Sequence, residues 1–113
     1  MKTIICLRGG AGIGKTSSIR AVWNRINIRN HPPLHQSADD ICAIVPFCNS
    51  TIGVVSQGDP YSEQDKWLEE LMALDCEIIV CASRTKGSTV SAVQKVAQSG
   101  EYATIWFSPF YST

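Results

Sequence analysis

The sequence has no excess of charge of either sign: ten Lys and Arg balance ten Asp and Glu over 113 residues. That balance offers no electrostatic footprint for nucleic acid or a membrane surface. It has no apolar run long enough to span a bilayer. The opening MKTIICLRGG carries one lysine and an apolar stretch too short for a signal-peptide core, which Arg8 ends. The expectation is a cytoplasmic protein. No C-x-x-C pair occurs among Cys6, Cys42, Cys48, Cys76 and Cys81, and His31 and His35 lie apart from any paired cysteines. A zinc site is therefore not expected. Four of the five cysteines sit in or beside apolar runs, where cysteine serves as a small buried hydrophobe. There is no internal repeat and no low-complexity tract.

What is present fits one domain spanning residues 1–113. TIICLR at 3–8 reads as a buried strand. Over 15–27 the period changes, with Ile19, Val22, Trp23 and Ile26 on one helical face. Residues 28–40 hold Pro32 and Pro33 among polar residues and read as a loop. ICAIVPF at 41–47 and TIGVVSQ at 51–57 are strands separated by three residues, which predicts an antiparallel hairpin. Pro46 has no N–H to donate, which places its strand at a sheet edge.

Residues 60–74 read as a helix with Trp67, Leu68, Leu71 and Leu74 inward, and 77–82 as a strand. Residues 89–99 read as a helix capped by Ser88 or Thr89 and ended by Gly100, with 102–107 as a final strand. The order β-α-ββ-α-β-α-β predicts an α/β fold of three layers. Its sheet is mostly parallel, with 41–47 as an antiparallel edge strand. The first strand is expected centrally, beside the strand ending at Gln57.

One stretch stands out from this frame. GGAGIGKT, residues 9–16, places four glycines in six positions and then a lysine. Glycine costs backbone entropy in regular structure, so a cluster of it needs a reason. Phosphate oxygens supply one, because backbone N–H groups can close around them only where side chains are absent. The following helix adds free N–H groups and a favourable dipole. Lys15 brings a cation, and Thr16 a hydroxyl suited to magnesium. The alternative is a glycine-rich turn closing onto a helix with a surface lysine.

With Gly9, Gly14, Lys15 and Thr16 at the spacing G-x-x-x-x-G-K-[ST], the chain resembles the P-loop NTPase superfamily. The resemblance implies a nucleoside triphosphate, ATP or another, held with Mg2+. Its phosphate-binding set is Gly9, Gly10, Ala11, Gly12, Ile13, Gly14, Lys15, Thr16 and Ser17. It also implies a second magnesium ligand, an aspartate past another strand. Asp59 in SQGDP is the candidate, making Thr16 and Asp59 the expected metal pair. Asp59 followed by Pro60 also reads as a helix N-cap with proline at N1. Pro60 stands where a water-activating glutamate often follows.

Ser83-Arg84-Thr85-Lys86 follows a buried strand on the ligand side of such a sheet. Arg84 is the candidate to stabilise charge during transfer, with Lys15 and Asp59 as the other catalytic candidates. Thr85-Lys86-Gly87-Ser88 lacks the aspartate that would read guanine. Two functions follow. One is a magnesium-dependent ATPase or phosphotransferase of the nucleotide or small-molecule kinase type. The other is a nucleotide-sensing module with little turnover, working with a partner chain. A homodimer or partner protein would complete the site. In the aromatic end (Trp106, Phe107, Phe110, Tyr111) alternation is expected to bury two under the sheet edge, Trp106 or Phe107 as core, and an exposed remainder is a candidate dimer contact.

Overall fold

The computed structural model describes residues 2–9, 15–37, 40–58 and 62–108. Among them run β1 (Thr3–Arg8), α1 (Lys15–Ile26), β2 (His35–Ser37), β3 (Asp40–Phe47), β4 (Ser50–Val55), α2 (Gln64–Ala73), β5 (Ile78–Ser83), α3 (Ser88–Gly100) and β6 (Ala103–Phe107). The fold is α/β, with one mixed six-stranded sheet in the order β2-β3-β4-β5-β1-β6. β4, β5, β1 and β6 are mutually parallel, and β3 is antiparallel to β4.

Each face of the sheet has its own core. On one face Ile19, at no exposure, meets Ile41, Ala43, Ile52, Val54, Val80 and Ala82, with Trp23 and Ile26 packed alongside. This is the helical stripe of α1 at 19, 23 and 26. On the other face Trp67, Leu68 and Leu71 of α2 join Val93 and Val96 of α3 over Ile4, Cys6, Ile79 and Cys81. Alternation along β1 sends Ile4 and Cys6 to this second face.

Several expectations need correction. The first strand does not lie beside the strand ending at Gln57, because β5 stands between them. β5 is buried from Ile79 to Ser83, and a strand buried on both sides belongs at the middle of a parallel sheet. The 28–40 segment is not all loop, since His35–Ser37 pairs with Asp40–Cys42 as a further strand outside β3. That pairing stops short of Pro46, so the proline occupies a stretch of β3 that needs no outward N–H.

α2 begins at Gln64 with Glu63 as its N-cap. The expected start at Asp59 and Pro60 lies outside the described residues. Leu74 and Val22, placed inward by periodicity, are 50% and 40% exposed. Leu74 follows the last turn of α2, and the buried stripe of α1 runs through Ile19 instead. For α3 the N-cap is Gly87, and the left-handed residue at its end is Glu101 rather than Gly100. Gly100 is needed for closeness instead, because a Cβ there would stand 2.6 Å from the ring of Tyr102. The β3–β4 turn uses Cys48 and Asn49, both at positive φ, as a two-residue hairpin requires.

The cysteine reading holds: Cys6, Cys42, Cys76 and Cys81 are buried free thiols, and Cys48 is exposed. Burial pushes Cys42 up to about 12 and Cys76 up to about 11. The hydrogen bond with Cys6, then burial, pushes Cys81 well above the thiol range. An unfolded thiol ionises near pH 8.5, so these three groups hold protons that the unfolded chain releases. Their contribution to stability is complete below that pH and is lost as pH rises toward 11–12. A disulfide-exchange colorimetric titration at pH 8 should find one fast thiol in the native chain and five in denaturant. Stability to urea should fall steadily above pH 9.

Candidate functional site

The site is assembled at the edge where β1, β4 and β5 end. β1 delivers Gly9, buried, whose N–H donates to the carbonyl of Ser83 at 3.0 Å. This bond ties the start of the glycine stretch to the end of β5. α1 opens at Lys15, so the stretch connects a strand to a helix N-terminus, as the motif demands. Residues Gly10, Ala11, Gly12, Ile13 and Gly14 lie outside the described residues, as does Asp59.

Lys15 is 6% exposed. Its Nζ donates to the carbonyls of Gly9 at 2.6 Å and Ser83 at 3.1 Å. A buried ammonium is tolerated only where it has acceptors, and here the ends of two adjacent strands provide them. Its field is felt nearby. Cys6 is held below the usual thiol range first by Cys81, then by Ser83, with Lys15 and Arg8 contributing.

Thr16 reveals a residue that sequence reasoning missed. Its Oγ1 donates to Oδ1 of Asp40 at 3.3 Å. The same Oδ1 accepts from Oγ of Ser56 at 3.0 Å, and that Oγ in turn accepts the N–H of Ile41 at 2.8 Å. Ser56 has no exposure, so it fixes the carboxylate from below. Asp40 opens β3, and β3 runs against the parallel strands. Its first residue therefore arrives at the edge where the others finish. The signal was legible: an acid directly before an apolar run, in a strand already expected to be antiparallel.

Hard oxygen donors are what a divalent cation such as Mg2+ requires. Thr16 and Asp40 supply two, and among the described residues no cluster of three or more His, Cys, Asp or Glu is present. A sparse set of this kind suits a cation that keeps several waters and takes further oxygens from phosphate, the usual habit of magnesium. The pair fits the group.

Arg84 follows Ser83 at the end of β5 and is half-buried. Its N–H donates to Thr89 Oγ1 at 2.8 Å and its carbonyl accepts from Ser83 Oγ at 2.9 Å. The backbone of Arg84 is thus fixed one residue from the carbonyl that holds Lys15. Ser17 is exposed on the first turn of α1, and Lys86 is exposed in the following loop. Gln64, 3% exposed, donates through Nε2 to the carbonyls of Ala82 at 2.9 Å and Thr89 at 3.3 Å. It fastens the start of α2 to the end of β5 and the first turn of α3.

His35, expected as a solvated loop residue, stacks on Trp67 with centroids 5.7 Å apart and meets Glu70 at 2.6 Å. It braces β2 against α2. Trp106 packs against the second core with Arg8 over its ring at 5.2 Å, whereas Phe107 is 51% exposed. Phe110 and Tyr111 lie outside the described residues. Among the described residues no helix is long and apolar enough to cross a membrane.

Comparison with protein-family models, with curated proteins and with solved structures gives no match for this chain.

Proposed function

We propose that this chain binds a nucleoside triphosphate with magnesium at the carboxyl edge of its sheet and acts on the terminal phosphate, as an ATPase or phosphotransferase. The observation that carries this reading is the junction of the glycine stretch with Lys15, Thr16 and Asp40. A strand feeds the stretch, a helix leaves it, a buried ammonium sits at its root, and a hydroxyl–carboxylate pair stands beside it. Bound magnesium would neutralise phosphate charge and orient the terminal phosphate. The rest falls to the chain. Lys15 supplies a fixed cation, Thr16 and Asp40 would hold the metal, and Arg84, directly after β5, is the candidate to meet charge that develops on transfer. Asp59 remains a candidate second carboxylate by sequence.

A second reading has its own support. Pro60 replaces the carboxylate that would activate water, and Asp40 is engaged by Thr16 and Ser56. On this reading the chain binds nucleotide with little turnover, and a partner completes the site.

The test is calorimetric titration of ATP, GTP and ADP, with and without magnesium, on wild type and Asp40→Asn. Asn keeps the shape and removes the charge. The variant is expected to lose about tenfold in affinity for the magnesium complex, about 1.4 kcal/mol, and to bind free nucleotide unchanged. Equal magnesium dependence in both proteins would remove Asp40 from the metal site. No binding to wild type would remove the reading itself. Turnover of bound ATP by the isolated chain then separates the enzyme from the binding module.

A further inference from the structure

The two edges of the sheet are built differently. At one end β2 is three residues long, polar (HQS) and exposed, and the stretch of β3 beyond its pairing with β2 carries Pro46. Short polar strands and proline are the devices by which natural sheets prevent pairing with other chains. At the other end β6 reads ATIWF, without charge or proline. Ile105 is 46% and Phe107 51% exposed. Beside them in register stand Ile5 and Leu7 of β1, only half-buried. α1 packs over β3, β4 and β5, so this end of its face carries an apolar strip.

We propose that β6 pairs with β6 of a second copy, antiparallel, about a two-fold axis through Ile105. The backbone fixes the register. The N–H of Ala103 donates inward to the carbonyl of Lys2 at 3.0 Å. In a parallel ladder alternate residues share that direction, so Ala103, Ile105 and Phe107 turn inward, and Thr104 and Trp106 turn N–H and C=O outward. Only a two-fold at Ile105 sets Thr104 against the partner's Trp106 and Trp106 against the partner's Thr104, using both outward residues twice.

Side chains agree with this register. Ile105 meets its own copy in a non-hydrogen-bonded pair, where side chains approach most closely. Small Ala103 faces large Phe107. The chain is neutral overall and β6 carries no charge, so two copies meet without net repulsion. The contact is isologous and closes at two copies. Pairing of five-residue strands is small against a standard interface of about 1,600 Å2, so the dimer is expected to dissociate in the micromolar range.

Sedimentation equilibrium on the full chain, from about 5 to 500 µM, should show a monomer–dimer equilibrium. Thr104→Pro removes an outward N–H that has no partner among the described residues, and Ile105→Lys charges the axis. Each should weaken the dimer by at least about tenfold. Should either variant unfold, cross-linking decides. In a Cys48→Ser background with oxidised glutathione, Ile105→Cys should form an intermolecular disulfide readily and Ala103→Cys should not. A wild type monomeric at 500 µM, a larger assembly, a dimer that survives both substitutions, or equal cross-linking at the two positions would overturn the proposal.

Discussion

Replacing Lys15 with alanine is expected to remove most of the triphosphate affinity while leaving a folded protein. The ammonium is nearly inaccessible and held by two strand-end carbonyls, so its position is set before any ligand arrives. A charge-assisted hydrogen bond placed in advance contributes about 1.5–3 kcal/mol, which is about a ten- to hundredfold loss of affinity when deleted. The substitution also strips a donor from the Gly9 carbonyl. The Ser83 carbonyl keeps the N–H of Gly9, so the two strands stay joined. Calorimetric titration with magnesium and ATP, alongside a thermal melt, separates the two effects. Unchanged affinity would mean that the glycine stretch is a turn and no more.

The second large effect is on stability. Ile19→Ala should cost about 2–5 kcal/mol, the range for truncating a buried aliphatic side chain. Ile19 has no exposure and is the centre of the contact between α1 and the sheet. Its neighbours on the stripe, Trp23 and Ile26, are only partly buried, so they cannot close over the cavity without moving the helix. Lys15 and Thr16 lie on the turn before Ile19, and nucleotide affinity should fall with stability. Val22→Ala, on the exposed side of the same helix, should change stability by less than about 0.5 kcal/mol. Urea melts of the two variants give the comparison, and similar midpoints would contradict this account of how α1 is held.

Which parts of this were legible in the sequence follows from the physics of each signal. Alternation and helical period describe one element against one neighbour, so β1, α1, the β3–β4 hairpin and β5 were placed to within a residue or two. Neighbour choice is not local. Nothing within TIICLR says that EIIVCAS, rather than TIGVVSQ, lies beside it, and the expectation that β1 neighbours the strand ending at Gln57 failed for that reason. β2 was missed because HQS has no apolar pattern; it forms because β3 offers an open edge and Trp67 offers His35 a ring to stack on. In the site, the glycine spacing pointed to Lys15 and Thr16 without help. Asp40 needed one further step, the direction of β3, which the predicted hairpin already implied. Arg84 was singled out because it follows a buried strand; its backbone comes directly after the Ser83 carbonyl that holds Lys15, and its part in transfer is a proposal.

The pairing of β1 sets the order in which such a site can be made during synthesis. Cys6 lies opposite Cys81 on one side and Trp106 on the other. The strand that carries the glycine stretch therefore leaves the ribosome long before either of its neighbours exists. The β3–β4 hairpin, joined by two residues, can form early, because closing so short a loop costs little entropy. β1 must wait for β5 and β6. Until then TIICLR is an unpaired apolar segment of the nascent polypeptide, the kind of sequence that holdase chaperones bind. A ribosome stalled before β5 would display the glycine stretch beside a β1 that has neither of its neighbours.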